Sequence, residues 1–368
     1  MENLKAWVEI NLSNILHNFD EIQRFVGVKI MPIIKADAYG HGIVEIANIL
    51  KDKASIFGVA TLCEAMKLRN FNIKNDILIL APSMNYDLEE IIQNNIICTI
   101  ATFEDAVTLN NVALKLDKKA NIHIKLDTGM GRIGFNISED TINQILLINK
   151  LANINIKGVF SHFAQGEDLD TSFTKLQYQK FEFITNEIQK HIEYFEKHIC
   201  ASGTIINCKD MHLDIVRPGA LLYGIFPSFE IKNPLNIKPA MSVKARVVFI
   251  NHIHVGESIG YNRTYFAKVP TTTAIIMYGY ADGYLTNFSN KSYVSINKKK
   301  CNIIGRICMD QIIIDVTNVK DIKVGDIVHV IEDDGPSILE LSKLGNINAR
   351  EIQCLTTTGN RLQRIYKK

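Results

Sequence analysis

The first two-thirds of the chain alternates short runs of apolar, often β-branched residues with longer amphipathic stretches. An amphipathic pattern over residues 12–25 predicts an amino-terminal helix. The apolar runs predict eight strands, at residues 28–34, 56–60, 76–80, 97–101, 121–126, 156–160, 198–201 and 213–216. Because helical patterns separate most of these strands, we predict an α/β fold with a (β/α)8, TIM-like barrel that ends near Phe226.

The pattern changes in the last third of the chain. Pro234 and Pro239 interrupt the apolar periodicity, and short strands then recur without long helical segments between them. These strands are predicted at residues 243–254, 272–278, 292–296, 300–308, 311–316 and 326–331. The pattern indicates a carboxyl-terminal antiparallel β domain, with a boundary between residues 230 and 242. We therefore predict a barrel domain over residues 1–235 and a β domain over residues 236–368.

Composition and charge narrow the class of protein. Hydrophobic residues make up 47% of the chain, and 41 basic residues balance 39 acidic ones, so no excess of positive charge favours nucleic acid or an anionic membrane as partner. The amino terminus has no signal-peptide pattern, which favours a cytoplasmic enzyme. The seven cysteines include no C-x-x-C pair, so we expect reduced thiols and no metal site.

Polar side chains follow several predicted strands at the point where each strand ends. Lys35 follows the first strand, Arg132 the fifth, His162 the sixth, Ser202 the seventh and Arg217 the eighth. The carboxyl ends of barrel strands meet at one mouth, so these five side chains are expected to converge there. Glycines and a hydroxyl after the last two strands are typical of a phosphate site, because unhindered backbone amides can approach the oxygens.

Six motifs carry a family resemblance. In chain order they read K-A-D-A-Y-G-H-G, D-T-G-M-G-R-I-G, H-F-A, V-R-P-G-A-L-L-Y-G, G-Y-A-D-G and R-I-C-M-D-Q. These motifs resemble the signature blocks of bacterial alanine racemase, in the order found in that family, from Trp7 to about Asp315. The resemblance implies pyridoxal 5'-phosphate as cofactor, an amino acid as substrate, and the interconversion of L- and D-alanine that supplies D-alanine for peptidoglycan.

The resemblance also implies two bases, because racemisation must remove a proton from one face of the α-carbon and return it to the other. Lys35 corresponds to the lysine that carries the cofactor and acts on one face. Tyr261 corresponds to the tyrosine that acts on the opposite face, and Tyr265 is the alternative in a shifted register. In the family this tyrosine reaches the site of the other subunit, which implies a homodimer with shared active sites.

Further roles follow from the same resemblance. The cofactor would be bound by Lys35, Tyr39, His162, Ser202, Gly203, Arg217, Gly219 and Ala220. Arg217 would face the pyridine nitrogen, while Arg132 and the partner's Met309 would contact the substrate. Lys125 matches a lysine that is carbamylated in some family members. Cys308 would either line the partner's site beside Met309 or be an inert core thiol, and the residues leave that choice open.

The carboxyl-terminal block departs from the family pattern. It lacks the tyrosine that many members place against the phosphate, and Asn360 occupies about that position. Three alternative functions remain open from the sequence. They are a racemase of serine or a broader range of amino acids, a non-catalytic protein that binds pyridoxal phosphate, and a barrel decarboxylase. The long β domain with Tyr261 argues against the second, and Arg217 argues against the third, since decarboxylation favours an acidic partner for the ring nitrogen.

Overall fold

The computed structural model describes residues 4–226, 232–355 and 361–368. Asn360 and part of the proposed inter-domain segment, residues 227–231, lie outside the described residues. The described chain begins with strand β1 (Ala6–Asn11) and helix α1 (Leu12–Val26). The side chain of Asn11 accepts the N–H of Asn14 and so caps the start of the helix, and Gly27, with a φ of 66°, follows its last residue.

Eight short parallel strands form a closed barrel. They are β2 (Lys29–Ile30), β3 (Ile56–Val59), β4 (Asp76–Pro82), β5 (Ile97–Ile100), β6 (Ala120–Lys125), β7 (Ile154–Phe160), β8 (Glu196–His198) and β9 (Ile215–Val216). Strands β3 to β8 pair in chain order, and β2 pairs with β9. Bridges between Ile33 and Gly58 and between Ala201 and Arg217 complete the ring. The predicted (β/α)8 barrel is confirmed.

Helical segments connect the barrel strands. They are α2 (Lys35–Tyr39), which is a left-handed turn, α3 (Ile43–Leu50), α4 (Leu62–Asn70), α5 (Leu88–Gln93), α6 (Phe103–Lys115), α7 (Glu139–Asn149), α8 (Ser172–Gln189) and α9 (Ser202–Asn207). Thr61, Thr102 and Ser138 each cap a helix, because each side chain accepts the N–H of the residue three positions later. None of the described helices is long and apolar enough to cross a membrane.

The carboxyl-terminal region is built around one large sheet. Its elements are β10 (Met241–Ile253), β11 (Ser258–Ile259), β12 (Tyr265–Phe266), β13 (Thr271–Ile276), β14 (Tyr293–Ile296), β15 (Lys299–Asn302), β16 (Ile312–Asp315), β17 (Ile327–Ile331), α10 (Ile338–Gly345), α11 (Ala349–Leu355) and β18 (Gln363–Lys367). The order is β15-β14-β17-β10-β1-β18, with β13 pairing with β10 and β16. All pairs are antiparallel except β1 with β18, which is parallel.

The structure differs from the sequence-based expectations in several places, among them the small β11–β12 pair, which is not predicted. Strand β1 precedes the barrel in sequence but pairs with β10 and β18 in the carboxyl-terminal sheet. Strand β18 and the two helices before it were not predicted. The strand expected over residues 300–308 ends at Asn302, because Gly305 adopts a φ of 77° and turns the chain beside Ile259.

The barrel interior is divided by polarity. Alternate residues of one group of strands form a separate apolar cluster, which comprises Met31, Ile33, Ile56, Leu78, Ile97 and Ile215. Buried imidazole and cationic side chains of the barrel come instead from β6, β8 and the segment after β9. They are His123, Lys125, His198 and Arg217. Since alternate strand residues face the same side, this polar half of the interior lies directly beneath the mouth where the predicted site residues converge.

Candidate active site

A cavity of about 650 Å³ opens at the carboxyl ends of the barrel strands. This volume lies within the range of small-molecule and cofactor sites. Its lining includes ten sequence-predicted residues, which are Lys35, Tyr39, Lys125, Arg132, His162, Ser202, Gly203, Arg217, Gly219 and Ala220. The convergence expected from strand-end positions is therefore observed for Lys35, Arg132, His162, Ser202 and Arg217.

Lys35 lines this cavity a few residues after the end of β2, the first barrel strand. Ile34 before it is fully buried, and the chain turns immediately afterwards into a left-handed conformation. The N–H of Ala36 donates to the carboxylate of Glu64 at 2.6 Å, which fixes the start of the turn. Burial and the nearby Arg132 guanidinium lower the pKa of the Lys35 amine. An amine with a lowered pKa is available as a nucleophile or base nearer to neutral pH.

Arg217 is the most heavily bonded side chain of the site. Its guanidinium donates to the carbonyl oxygens of Ser161 and Ile199 at 2.8 and 3.0 Å. It also donates to Nδ1 of His198 at 2.8 Å and to Nδ1 of His162 at 3.1 Å. No carboxylate pairs with Arg217 within the described parts of the chain. Burial lowers its pKa to about 10, so the group remains a buried cation at neutral pH.

A chain of two histidines continues from Arg217 into the barrel interior. Because a guanidinium can only donate, Nδ1 of His198 accepts, and His198 carries its proton on Nε2. That proton is donated to Nδ1 of His123 at 2.8 Å. Burial and the positive charge of Arg217 lower the pKa of both imidazoles. Arg217 is therefore held by neutral groups that leave its positive charge uncompensated.

One end of the cavity offers hydrogen-bond donors with little side-chain bulk. The Ser202 hydroxyl oxygen accepts the N–H groups of Gly219 and Leu221 at 3.0 and 3.3 Å, so the hydroxyl can offer its own hydrogen to the cavity. Ser202 begins helix α9, whose first N–H groups have no intrahelical acceptor. A Cβ at Gly219 would lie 2.6 Å from the Tyr39 hydroxyl, so an alanine there would displace that hydroxyl. This end suits an anion such as a phosphate.

Arg132 enters the cavity from a loop that is organised by Asp127. The carboxylate of Asp127 accepts the N–H groups of Gly129, Met130 and Gly131 at 2.9 to 3.1 Å, and that of Arg132 at 2.8 Å. These bonds lower the pKa of Asp127 although burial opposes them. The loop therefore depends on an ionised carboxylate.

Lys125 is almost fully buried, with its amine 4.5 Å from the centre of the Phe160 ring. Burial and the Arg217 and Arg132 guanidinium groups lower its pKa well below the usual lysine value. The described part of the structure gives this amine no carboxylate partner. A neutral amine in that position is chemically able to react with carbon dioxide.

Four predicted residues lie outside the cavity of their own chain. Tyr261 and Met309 are 66% and 52% exposed, respectively, and neither lines it. Tyr265 pairs with Ile259 in the small β11–β12 sheet, and the thiol of Cys308 donates to the carbonyl of Arg306. Within one chain, Lys35 thus lines the cavity, whereas Tyr261 and Met309 lie exposed outside it.

Sequence reasoning missed several functional neighbours. His198 was assigned only to a strand, and its place behind Arg217 could have been suspected because it is a polar residue at the start of an apolar run. Arg350 and Cys354 reach the cavity from helix α11, in a region where no helix was predicted. Arg350 forms an ion pair with Glu167 across the anion end, at 2.6 Å.

Comparison with known proteins identifies relatives along the whole chain. The family model "Alanine racemase, N-terminal domain" matches residues 10–227, and "Alanine racemase, C-terminal domain" matches residues 240–366. The alanine racemase of Clostridium tetani is 37% identical over 369 residues, which cover 98% of this chain and 95% of the relative.

Solved structures agree with these matches. Alanine racemase of Clostridium difficile 630 superposes with a TM-score of 0.94 at 34% identity, covering 99% of this chain and 96% of that one. The alanine racemase of Bartonella henselae with covalently bound pyridoxal phosphate gives a TM-score of 0.89 at 30% identity, covering 99% of this chain and all of the other. The similarity thus extends over the barrel and the carboxyl-terminal sheet together.

Proposed function

The chain belongs to the alanine racemase family, and we propose that it interconverts L- and D-alanine with pyridoxal 5'-phosphate as cofactor. Relatives that match along almost the whole chain are alanine racemases, which disfavours the decarboxylase and the non-catalytic cofactor-binding protein. The two domains would divide near residue 235. We further propose a cytoplasmic enzyme whose product serves peptidoglycan synthesis.

The donor set of the cavity fits the cofactor. Lys35 would hold its aldehyde carbon, the small residues Gly203, Gly219 and Ala220 with Ser202 and Tyr39 would hold its phosphate, and Arg217 would face its ring nitrogen. When bound, pyridoxal phosphate acidifies the α-proton of the amino acid by accepting electron density from the α-carbon. The other steps belong to side chains of the protein.

Lys35 and Tyr261 would act as the two bases. The Lys35 amine takes the α-proton of D-alanine or returns it, and its lowered pKa supports that role. Tyr261 would serve the opposite face with its hydroxyl. Its high exposure, and its position outside its own chain's cavity, support a homodimer in which it enters the partner's site. Met309, also exposed, would enter beside it.

Arg217 would determine which reaction follows proton removal. A guanidinium with a pKa of about 10 keeps its proton at neutral pH and does not give it to a pyridine nitrogen. Arg217 would thus leave the ring nitrogen of a bound cofactor unprotonated, which would favour return of the proton to the α-carbon. His162 would pack on the ring, and Arg132 would bind the substrate carboxylate. Carbamylated Lys125 would give Arg132 an anionic partner.

The observation that carries the proposal is a half-buried lysine of lowered pKa, Lys35, that shares one cavity with the buried Arg217, for which the described residues provide no carboxylate partner. Borohydride reduction of the cofactor-loaded protein, followed by peptide mapping, should place the pyridoxyl group on Lys35. Lys67, which is nearby but ion-paired with Asp37, serves as the internal comparison. A label on another lysine, or none after saturation with cofactor, would contradict the assignment.

Substrate range needs a separate measurement. The purified protein should be assayed with a panel of D- and L-amino acids at saturating cofactor. Alanine should give the highest kcat/KM, and serine and larger residues should be slower. A higher kcat/KM for serine or another amino acid would favour the broader racemase that the sequence leaves open.

A further inference from the structure

The turn that follows Lys35 has an unusual backbone conformation. Ala36, Asp37, Ala38 and Tyr39 all have positive φ, between 52° and 57°. Residues with a side chain avoid this left-handed region, and four in succession are disfavoured unless surrounding contacts hold them. The contacts that stabilise this turn therefore also fix the position of Lys35, which precedes it, and of Tyr39, which is its last residue.

The clearest of these contacts comes from the other end of the chain. Arg364, in β18, donates from Nε to the carbonyl of Gly40 at 2.7 Å and pairs through Nη2 with the Asp37 carboxylate at 3.0 Å. Asp37 also accepts the N–H of Ile43 at 3.0 Å and pairs with Lys67 at 3.2 Å. A single guanidinium thus bridges the middle and the end of the left-handed turn.

A neighbouring side chain of the same strand faces the same loop. Residues 364 and 366 share one face of β18 because strand side chains alternate. The Tyr366 hydroxyl packs so closely on Gly42 that a Cβ there would overlap with it. Lys367 instead pairs with Glu9 at 2.5 Å, away from the turn. One face of β18 therefore contacts the segment after Lys35, and the opposite face carries Lys367, which forms an ion pair with Glu9 of β1.

We propose that Arg364 is a positioning residue for Lys35, acting through the left-handed turn. The proposal rests on the function proposed above for Lys35. Arg364 does not line the cavity, so its effect on the reaction would pass through Asp37 and Gly40. The bridge needs two donors in a fixed fork, which arginine has and lysine lacks. Strand β18, near the carboxyl terminus, thereby supports the turn after Lys35, which lies near the amino terminus.

Hydrogen exchange measures the turn directly, whether or not the protein is active. The N–H groups of Ala38, Gly40 and Gly42 donate within the turn at 2.8 to 3.0 Å. In full-length protein as purified, Arg364→Met should speed exchange of the peptide covering residues 35–43 about tenfold, because a charge-assisted bridge is lost. Lys367→Met is the matched control, since it breaks an ion pair of the same strand without touching the turn.

Kinetics and the cofactor spectrum then connect the turn to Lys35. Arg364→Met should lower kcat about tenfold or more with a much smaller change in the KM for alanine, since misplacement of the base affects the chemical step. The circular dichroism of the bound cofactor in the visible range should also change. Arg364→Lys should recover part of both signals, because one of the two contacts can form again.

The outcomes separate this proposal from the proposed function. Unchanged exchange over residues 35–43 in Arg364→Met would overturn the positioning role, and so would faster exchange with unchanged kcat and an unchanged cofactor spectrum. If Lys367→Met changes hydrogen exchange, kcat and the cofactor spectrum as much as Arg364→Met does, the cause is a general loosening of β18, and the positioning role is overturned as well. If wild-type protein neither binds cofactor nor racemises alanine, the proposed function fails. If Arg364→Met unfolds, Arg364→Lys carries the same measurements.

Discussion

Replacing Arg217 with glutamate tests the electrostatic core of the site. The guanidinium is buried and donates to the carbonyl oxygens of Ser161 and Ile199. A carboxylate cannot donate to them, and about 1–3 kcal/mol for each of these two carbonyl oxygens gives a loss of about 2–6 kcal/mol, since His198 and His162 can change tautomer and donate to the new carboxylate. Because a typical unfolding free energy is about 5–15 kcal/mol, a protein of ordinary stability can fold despite this loss. Bound cofactor increases the unfolding free energy further.

The chemical effect should be larger than the loss of stability suggests. A carboxylate at position 217 would favour a protonated ring nitrogen, which draws more charge from the α-carbon. Racemisation should fall at least about 100-fold, as for other preorganised charges, and the share of turnovers that end in transamination should rise. The assay measures D-alanine formed from L-alanine and, in the same samples, pyruvate formed per racemisation event. Thermal unfolding of the cofactor-loaded protein is followed in parallel.

Arg217→Lys is the matched control for this experiment. It keeps the positive charge and loses most of the hydrogen bonds, so it should be destabilised similarly while its ratio of transamination to racemisation stays near the wild-type value. An unchanged ratio in Arg217→Glu would refute the claim that residue 217 faces the ring nitrogen. Equal rises in both variants would show that lost geometry, and not the charge, is the cause.

Three further predictions concern separate parts of the molecule. Tyr261→Phe should abolish most racemisation but retain α-deuterium exchange from D-alanine. Hybrid dimers of one Tyr261→Phe subunit and one Lys35→Ala subunit should recover about half the wild-type activity per dimer, because one of their two sites carries neither substitution. Inactive hybrids would exclude a shared site. Gly219→Ala should weaken cofactor binding about tenfold, measured by equilibrium titration, because its Cβ would lie 2.6 Å from the Tyr39 hydroxyl. Burial raises the pKa of Glu332 to about 7, so its stabilising contribution is present at low pH and lost as pH rises towards and through 7. The free energy of unfolding of Glu332→Gln, relative to that of the wild type, should therefore rise by about 1–3 kcal/mol as the pH increases from about 5 to about 8. A difference in unfolding free energy that does not change with pH would contradict this.

The strand-end residues show why so much of the site could be predicted from sequence. In a barrel, the position of a residue after its strand fixes which mouth it faces, so Lys35, Arg132, His162 and Arg217 could be brought together from order along the chain alone. The glycine after strand seven and the one after strand eight indicated the anion end in the same way. The resemblance then supplied roles that no periodicity contains, such as those of Tyr261 and Met309.

The amino-acid sequence by itself determined the barrel, the carboxyl-terminal sheet and the residues that meet at the barrel mouth, because these follow from local periodicity and strand order. Only the tertiary structure decided that β1 pairs with β10 and β18, that His198 and His123 lie behind Arg217, and that Arg364 holds the turn after Lys35. These contacts join residues far apart in sequence. Their partners are chosen by packing and by the need of buried polar groups for hydrogen bonds, and neither leaves a local pattern in the chain.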